Sequence, residues 1–565
     1  MMPVEGVDEL VFLPLGGAGE IGMNLNLYGY GAAEQRRWLM IDCGIGFGAA
    51  GMPGVDVVMP DPSYIVERRD RLEGLVLTHA HEDHLGAIPY LWPLLRCPVY
   101  GSDFALAILR GKLARTSFAA EVPLRPIAPK QTVALGPFTL GFISVAHSIP
   151  EAHAVVIRTG AGTLVHTGDW KLDPEPVVGG FADEDALERV GDEGVLGLIC
   201  DSTNVFEPGR AGSEGTLLAP LTELIGSCTN SVAVTCFSSN IARMHTIATA
   251  AHRNGREVVL AGSAVARNYV AAKECGYLGE LPAFLDTDAA SYLPRNKIAL
   301  VCTGSQGEPN AALARLAAGE HPSLALEAGD TVIFSSRVIP GNEIAIGRLQ
   351  NQLLRRGITI IGHRQARIHV SGHPARDELA RMYALVRPRV AVPVHGELRH
   401  MMEHARLATG EGVPHTVVAE NGTMVRLSPG PAAATEAVQS GRWALEGNRV
   451  VPIAGELIRY RTKAVYEGSA FVTVALAAKQ QAAADVQLST VGLLEQGEGE
   501  VAAALTAAVR KAIDDLPAST YKDDETVREA VRLTVRRTCR QLLGKRPMTH
   551  VHLVRNGLAP TGAEA

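Results

Sequence analysis

The chain of 565 residues has few of the features that mark secreted or membrane-embedded proteins. Its eight cysteines form no C-x-x-C pair, which argues against a thiolate zinc knuckle or a disulfide framework and favours a reducing compartment. No apolar run approaches the roughly 18 residues that a bilayer-spanning helix needs, and the acidic start of the chain is unlike a secretory signal. These absences predict a cytoplasmic protein without a membrane partner.

An excess of positive charge is absent as well. The formal net charge of −7 at pH 7 argues against a protein that coats nucleic acid by charge alone, although a local basic channel is compatible with it. Hydrophobic residues at 47% and charged residues at 20% are typical of a folded globular protein. No internal repeat of roughly 20 to 50 residues is found, and the length predicts two or three domains.

The patterning of the chain predicts one domain inserted into another, followed by a small module. Short β-type runs alternate with glycine-rich loops up to about residue 143, and strand and helix patterns then alternate over 217–362, as in a parallel α/β unit. A segment rich in Pro, Gly and Ala over 427–447 is interpreted as a linker. A β-β-α-α-β pattern follows. The predicted boundaries are 1–215 and 361–440 for the two parts of the outer domain, 216–360 for the insertion, 441–465 for the linker and 466–565 for the C-terminal α+β domain.

The segment Gly17–Gly22 matches the G-x-G-x-x-G pattern of dinucleotide-binding proteins, with Asp42 at a distance that suits a ribose ligand. A dinucleotide site needs a helix that starts at the third glycine. Residues 23–28 instead alternate like a strand, which argues against NAD binding. We therefore interpret the glycines as a tight hairpin that passes beneath a site.

Three histidines and an aspartate lie within six residues after an apolar strand pattern: His79, His81, Asp83 and His84. On a turn between a strand and a helix, His79 and His81 can point into one coordination sphere while the other two address a second ion. A solvated polar loop is the alternative, but four potential ligands at one strand end favour metal. The spacing predicts a two-metal site.

Two clustered ions need further ligands, and three residues in similar surroundings can supply them. His147, Asp169 and His395 each follow an apolar run. Any one of them alone would be interpreted as a polar residue at the end of a strand. Together with the first cluster, they become candidate ligands.

The chain resembles the β-CASP branch of the metallo-β-lactamase superfamily through IDCG, HAHEDH, HSIP, TGDW and PVHGE. Within that branch, the chain is similar to the ribonuclease J family through the strings LGGAGEIGMN, DSTN, CTGSQGEP, IPGNE and HVSGH. The resemblance implies a chain of mixed α/β and α+β class. The implied architecture is a metallo-β-lactamase αββα sandwich interrupted by a β-CASP α/β domain, with a small C-terminal α+β module.

The resemblance also implies a ligand set for two zinc ions per subunit. His79, His81 and His147 would bind one ion, Asp83, His84 and His395 the other, and Asp169 would bridge them. Zinc lowers the pKa of a bound water to about 7, and two ions roughly 3.5 to 4 Å apart can stabilise attacking and leaving oxygens. Manganese is compatible with the same ligands.

Further roles follow from the same resemblance. His373, Asp83 and Asp169 are the implied catalytic residues, with His373 assisting the leaving oxygen, and Asp42 and Asp201 are expected to orient histidine ligands. Two loops are implied to hold the phosphate of a terminal nucleotide, and their residues are Ser238, Ser239 and Asn240, and His369, Val370, Ser371, Gly372 and His373. Their hydroxyl and N–H groups suit a monophosphate. Family members often carry histidine where this chain has Ala242, which leaves the strength of 5′-end selection open.

The expected activity is 5′-to-3′ exonuclease action on single-stranded RNA with a 5′ monophosphate, with an endonuclease mode, in RNA maturation and decay. A homodimer or homotetramer is expected. Two alternatives stay open. The first is a hydrolase of thioesters or lactams on the same metal-binding core, and the second is an RNA-binding scaffold whose active site has lost its activity.

The helix pattern at 526–543 together with Lys545 and Arg546 carries seven basic residues and one acidic residue, Glu529. This face is either solvated or in contact with RNA. In the same module, alternating Val472, Val474 and Leu476 offer an apolar face that could serve dimer formation.

Overall fold

The computed structural model describes residues 7–48, 51–128, 130–339, 341–476 and 485–555. Two compact units contain them, one within Met1–Gly46 and Val58–Gly441 and the other within Phe47–Val57 and Arg442–Ala565. Within the described ranges, none of the helices combines the length and the apolar character that crossing a bilayer requires.

Strands dominate the part of the chain that precedes residue 217. They are β1 (Glu9–Gly16), β2 (Ala18–Gly19), β3 (Leu25–Gly31), β4 (Arg37–Ile41), β5 (Gly46–Phe47), β6 (Val57–Pro60), β7 (Leu72–Val76), β8 (Val99–Gly101), β9 (Leu124–Pro126), β10 (Thr132–Leu135), β11 (Phe138–Ser144), β12 (His153–Thr159), β13 (Gly162–His166) and β14 (Gly197–Asp201). The helices are α1 (Ser63–Val66), α2 (Glu82–Leu85), α3 (Ile88–Leu95), α4 (Asp103–Leu113) and α5 (Glu184–Glu193).

A parallel α/β unit follows, as the alternating patterns predicted. Its elements are α6 (Leu218–Ser227), β15 (Val232–Thr235), α7 (Ile241–Arg253), β16 (Glu257–Ala261), α8 (Ser263–Glu274), β17 (Ile298–Cys302), α9 (Ala312–Ala318), β18 (Thr331–Phe334), α10 (Glu343–Arg355) and β19 (Thr359–Ile361). The strands form one sheet in the order β16-β17-β15-β18-β19, and all four pairings are parallel. Continuous apolar strands suit such a sheet because helices cover it on both faces.

The chain then returns to the strand-rich part. The returning elements are α11 (Arg376–Val386), β20 (Val390–Val394), β21 (Gly396–Glu397), α12 (Leu398–Gly410), β22 (His415–Thr416), β23 (Thr423–Ser428) and β24 (Ala433–Ala437). They complete an eight-stranded sheet, β24-β23-β1-β3-β4-β7-β8-β9, and a seven-stranded sheet, β10-β11-β12-β13-β14-β20-β22.

The two large sheets share one hydrophobic core. Phe12 and Tyr28 from the first sheet pack with Phe138 and Ile157 from the second. The outer side of the second sheet packs against α5, α11 and α12 through a separate buried cluster, and α4 lies against β8 and β9 of the first sheet. The arrangement is the predicted αββα sandwich, interrupted by the parallel α/β unit.

The second compact unit holds the C-terminal elements. They are β25 (Arg442–Glu446), β26 (Arg449–Pro452), α13 (Glu456–Glu467), β27 (Ser469–Leu476), β28 (Asp485–Val491), α14 (Gly499–Asp514), α15 (Asp524–Leu543) and β29 (Met548–Arg555). β27 pairs antiparallel with β28 and parallel with β29. The last five elements have the predicted β-β-α-α-β order.

Two expectations for this part of the chain differ from the structure. Val472, Val474 and Leu476 are buried in the core of their own unit, together with apolar residues of α14 and α15, so the hypothesis that they form a dimer surface is wrong. Residues 441–465, expected as a linker, form β25, β26 and most of α13. The Ala-rich stretch before them is the exposed edge strand β24, whose small residues resemble those of a flexible segment.

Arg243 at the start of α7 connects the inserted unit to loops around it. Its Nε and Nη2 donate to the two carboxylate oxygens of Glu214 at 2.5 and 2.9 Å, and Nη1 donates to the backbone oxygens of Ser335 and Ile368 at 2.7 and 3.1 Å. The side chain is 0% exposed. A bidentate pair of this kind fixes the geometry of all the groups that it joins.

We expect Arg243→Ala to lower the free energy of unfolding by about 3–5 kcal/mol, because it leaves the Glu214 carboxylate buried without its partner. Urea unfolding followed by circular dichroism measures the change. The double variant Arg243→Met, Glu214→Leu is the control and should be closer to wild type, since neither charge is then buried. Exposed ion pairs contribute about 1 kcal/mol or less. A decrease in the free energy of unfolding within that range would contradict the role of the buried pair Arg243–Glu214 in stability.

Candidate metal centre

Seven polar side chains meet at one edge of the sandwich, just beyond the ends of strands from both sheets. Four lie after β7: His79 and His81 on the connecting loop, and Asp83 and His84 at the start of α2. The other three follow strands of the second sheet, and they are His147 after β11, Asp169 after β13 and His395 after β20. The structure therefore brings together all seven residues that the sequence singled out as candidate ligands.

The first group of ligand atoms consists of three imidazoles and a carboxylate. His79 Nε2 and His147 Nε2 lie 3.0 and 3.1 Å from His81 Nδ1, and each is 3.7 Å from Asp169 Oδ2. Ligands at zinc distances in a tetrahedron are separated by about 3.3 Å. The observed separations bracket that value, so these four atoms fit a single ion.

The second group shares Asp169 with the first. His84 Nε2 lies 3.2 Å from Asp169 Oδ2 and 3.6 Å from Asp83 Oδ2. His395 Nε2 lies 3.6 Å from Asp169 Oδ1 and 3.9 Å from Asp83 Oδ2. The Asp169 carboxylate thus lies against both groups, as a bridging ligand would.

An unsatisfied oxygen supports metal binding at this point. Asp169 Oδ1 is buried and has no hydrogen-bond partner among the described residues. A buried acceptor without a partner destabilises a protein by about 1–3 kcal/mol, and more when it is charged. A bound cation would remove that penalty, so the residues present fit a metal.

The electrostatics of the first group keep its members in the forms that ligate metals. Burial lowers the pKa of His81 to about 4, and it also holds the pKa values of His79 and His147 well below the usual range. Burial opposes ionisation of Asp169, but the neighbouring His395 and His84 outweigh it and hold the pKa of this carboxyl well below its usual range. Three neutral imidazoles around a carboxylate form a metal-ligand set.

The second ring nitrogens of three ligand histidines are held by outer hydrogen bonds. His84 Nδ1 donates to Asp42 Oδ2 at 2.7 Å, His147 Nδ1 to the Gly372 carbonyl at 2.7 Å and His395 Nδ1 to Asn24 Oδ1 at 3.0 Å. Each bond occupies Nδ1 and leaves Nε2 of the same ring as the nitrogen that faces the cluster. Asp42 was expected from the sequence, whereas Asn24 and the Gly372 carbonyl were missed, although Asn24 ends the LGGAGEIGMN string.

Backbone strain accompanies this arrangement. Asp42 and His395 have positive φ values of 63° and 51°, a region that residues other than glycine seldom adopt. Such strain is concentrated at functional sites, where the surrounding structure maintains it.

The glycine-rich segment lies under the site and is followed by strand β3 rather than by a helix. Gly17 has a φ of 86°, and its carbonyl accepts a hydrogen bond from His395 N at 2.6 Å. β2 in this segment pairs with β21, which follows His395 directly. The dinucleotide-binding alternative therefore lacks the helix that it needs, and the segment instead supports a ligand loop.

His373 lies next to the seven ligands. Its Nδ1 donates to Asp201 Oδ2 at 2.8 Å and is 3.9 Å from Asp169 Oδ2. Burial opposes its protonation, but Asp201 and Asp169 raise the pKa of His373 to about 9. The expectation that Asp201 orients a ligand histidine is corrected, because its histidine partner is His373.

The two loops expected to hold a terminal phosphate are both linked to Arg243. Asn240 Oδ1 accepts from Arg243 N at 2.7 Å and so caps helix α7, while the guanidinium bonds the Ile368 carbonyl just before the second loop. In that loop, Ser371 Oγ accepts from Asn204 Nδ2 at 2.7 Å. Asn204, which the sequence analysis missed as a functional residue, also donates to the His373 carbonyl.

Several known protein families and proteins are similar to this chain. Family models match in four places: "Metallo-beta-lactamase superfamily" at 32–219, "Ribonuclease J, beta-CASP domain" at 229–353, "Zn-dependent metallo-hydrolase RNA specificity domain" at 360–418 and "Ribonuclease J C-terminal domain" at 456–556. A ribonuclease J from Sinorhizobium meliloti is 44% identical over 97% of this chain and 98% of its own length. A ribonuclease J from Thermus thermophilus is 35% identical over 96% and 94%.

A solved structure is similar in fold. It is a protein of unknown function from Enterococcus faecalis V583, with a TM-score of 0.51 and 16% identity, and the match covers 74% of this chain and 100% of that one. At this identity the likeness supports the fold alone.

We expect Asp42→Asn to weaken divalent-cation binding about 10- to 100-fold, because the carboxylate that orients His84 is removed. Competition with a chromophoric chelator measures the affinity. Asp61→Asn is the matched control, since Asp61 is a buried aspartate that accepts hydrogen bonds from Ser63 instead of a histidine. Equal affinities for the Asp42 variant and wild type would contradict the assigned role.

Proposed function

This chain belongs to the ribonuclease J family, and from that premise we propose a two-zinc enzyme that degrades RNA from its 5′ end and also cleaves internal bonds. Membership makes it a metal-dependent ribonuclease that acts in RNA processing, so the thioester or lactam hydrolase alternative is excluded. The observation that carries the proposal is the Asp169 carboxylate shared by two groups of ligands.

The proposed metals are two zinc ions, because the ligands are mostly imidazoles completed by carboxylates. His79, His81 and His147 would hold one ion, Asp83, His84 and His395 the other, and Asp169 both. Manganese accepts the same ligands. When bound, the pair of ions supplies an activated water at neutral pH and positive charge for the phosphate oxygens. The scaffold alternative is not supported, since all seven positions retain a ligating side chain.

His373 would act on the leaving group. Its Nδ1 is committed to Asp201, which leaves Nε2 as the free ring nitrogen. An imidazole held in one orientation by a carboxylate is suited to proton transfer. We propose that His373 gives a proton to the 3′ oxygen as the phosphodiester bond breaks, and that nucleoside 5′-monophosphates are released.

Selection of the 5′ end would depend on the two loops linked by Arg243. Their N–H and hydroxyl groups can accept one phosphate, and a triphosphate is bulkier. The helix cap formed by Asn240 and the hydrogen bond from Asn204 to Ser371 keep both loops in place, so little rearrangement is needed for binding. Assembly as a dimer or tetramer stays a prediction, which light scattering tests. Location in the cytoplasm also stays a prediction, which cell fractionation tests.

We expect His81→Ala and His395→Ala each to reduce cleavage by more than about 1,000-fold, because removal of a ligand takes away stabilisation of several kcal/mol. RNA binding should stay close to wild type, since neither residue belongs to the phosphate-holding loops. Cleavage of labelled RNA, filter binding and elemental analysis of bound metal give the three readouts. His415→Ala, at an exposed histidine on β22, is the matched control. A parallel decrease of binding and cleavage would count against the assignment.

We expect transcripts with a 5′ monophosphate to be digested about tenfold or more faster than identical transcripts with a 5′ triphosphate, a difference of about 1.4 kcal/mol. Chromatography of the products shows whether mononucleotides appear first, as 5′-to-3′ digestion requires. A circular RNA of the same sequence has no end, and its cleavage reports the internal mode. Equal rates on the two linear transcripts would overturn the proposed end selection.

A further inference from the structure

An arginine-rich cavity lies beside the loop that carries Ser371. Its volume of about 590 Å³ is within the range of roughly 300 to 1,000 Å³ found for small-ligand sites. Residues of the segments 204–211 and 363–371 form most of the wall, and Arg337 and Ala375 complete it.

The wall of the cavity has a marked excess of positive charge. Its arginines are Arg210, Arg337, Arg364 and Arg367, and its one carboxylate is Glu207. Glu207 pairs with Arg337 at 2.5 Å, which neutralises one of the four. Arg364 and Arg367 are exposed and have no hydrogen bond or ion pair with any described residue. Guanidinium groups left free in this way bind phosphate oxygens in a bidentate manner.

The cavity is separate from the seven candidate metal ligands but borders the phosphate-holding loop. None of the seven ligand residues and none of residues 238–240 contributes to its wall, as far as the structure describes the chain. It shares residues 369–371 with the phosphate-holding loop. Ser371 Oγ also accepts a hydrogen bond from His373 N at 3.2 Å. A ligand in the cavity would therefore lie immediately beside the reacting centre without occupying it.

We propose that this cavity is an additional binding site for the phosphate groups of RNA, with Arg364 and Arg367 as the residues that bind them. This inference rests on the proposed function, because the proposed ligand is the RNA chain that is cut at the adjacent metal centre. A strand held both at the metal centre and in the cavity is fixed at more than one phosphate, which raises affinity without any reading of sequence. A free nucleoside monophosphate offers the same chemistry, so the experiment separates the two.

The test measures binding of a 5′-phosphorylated oligouridylate with cleavage-resistant phosphorothioate linkages to the full-length protein over a range of salt concentrations. The variants are Arg364→Ala, Arg367→Ala and the double substitution. For single strands, the slope of log affinity against log salt falls by about 0.7 for each phosphate that the protein no longer neutralises. We expect a slope less steep by about 0.7 for each single variant and about 1.4 for the double variant.

Two arginines on α10 provide matched controls. Arg348 and Arg355 are exposed and do not line the cavity, so Arg348→Ala and Arg355→Ala remove the same charge elsewhere in the inserted unit. Their slopes should equal that of wild type. The reversed-charge variant Arg364→Glu should bind still more weakly than Arg364→Ala, and thermal melting of each variant verifies that it is folded.

The second part of the test measures the binding of uridine 5′-monophosphate to the same variants by calorimetry. If the double substitution weakens binding of this nucleotide but leaves the RNA slope unchanged, the cavity is a nucleotide site and the RNA assignment is overturned. If neither ligand responds while wild type still cleaves RNA with 5′-monophosphate preference, the inference fails and the proposed function stands. If wild type shows no such preference yet the slopes fall as expected, the proposed end selection fails and the cavity assignment stands.

Discussion

The shared carboxylate of Asp169 is the group on which the rest of the site depends. Five imidazoles and two carboxylates converge where, among the described residues, no hydrogen-bond donor satisfies Oδ1 of this aspartate. Burial alone would make such a cluster unfavourable, since buried polar groups need partners. The ligand atoms lie close enough to one another to hold a bound cation, which would offset this cost. The outer hydrogen bonds to Asp42, Asn24 and the Gly372 carbonyl hold the rings in this arrangement.

The sandwich supplies these ligands because strands of two facing sheets end at one edge. Each ligand is placed by the end of a buried strand, which is rigid, and the chain beyond it is free to turn toward its neighbours. The strained backbones of Asp42 and His395 show how closely this turning is constrained. His395 follows β20, and Asp169 follows β13; in the sheet only β14 separates these two strands. A ligand far along the chain therefore lies close to one from the first part of the chain.

The convergence of the seven candidate ligands and the presence of the insertion could be predicted from sequence because each leaves a local signal. A cluster of histidines and an aspartate after one apolar strand indicates metal, and single polar residues after other apolar strands become candidates beside it. Alternating strand and helix patterns indicate a parallel unit. The Gly372 carbonyl leaves no such signal, since every residue has one. The pairing of Asp201 with His373 could not be predicted either, because the two residues are far apart in the sequence. The same holds for the arginines of the cavity, since Arg210 and Arg364 meet only through tertiary folding. The composition of the segment 427–447 predicts a linker although the segment contains the edge strand β24, because small residues suit an exposed edge strand as well as a flexible segment.

The order of strands in the sandwich has a consequence for synthesis on the ribosome. β1 has β23 as a neighbour, and β14 has β20, yet in each case the inserted unit separates the two partners along the chain. About 190 residues must be translated between the end of β14 and β20, which takes roughly 10 to 40 s at typical elongation rates. During that interval the edges of β1 and β14 lack their partners β23 and β20. The growing chain also lacks His395. The set of seven candidate ligands therefore stays incomplete until His395 has been translated.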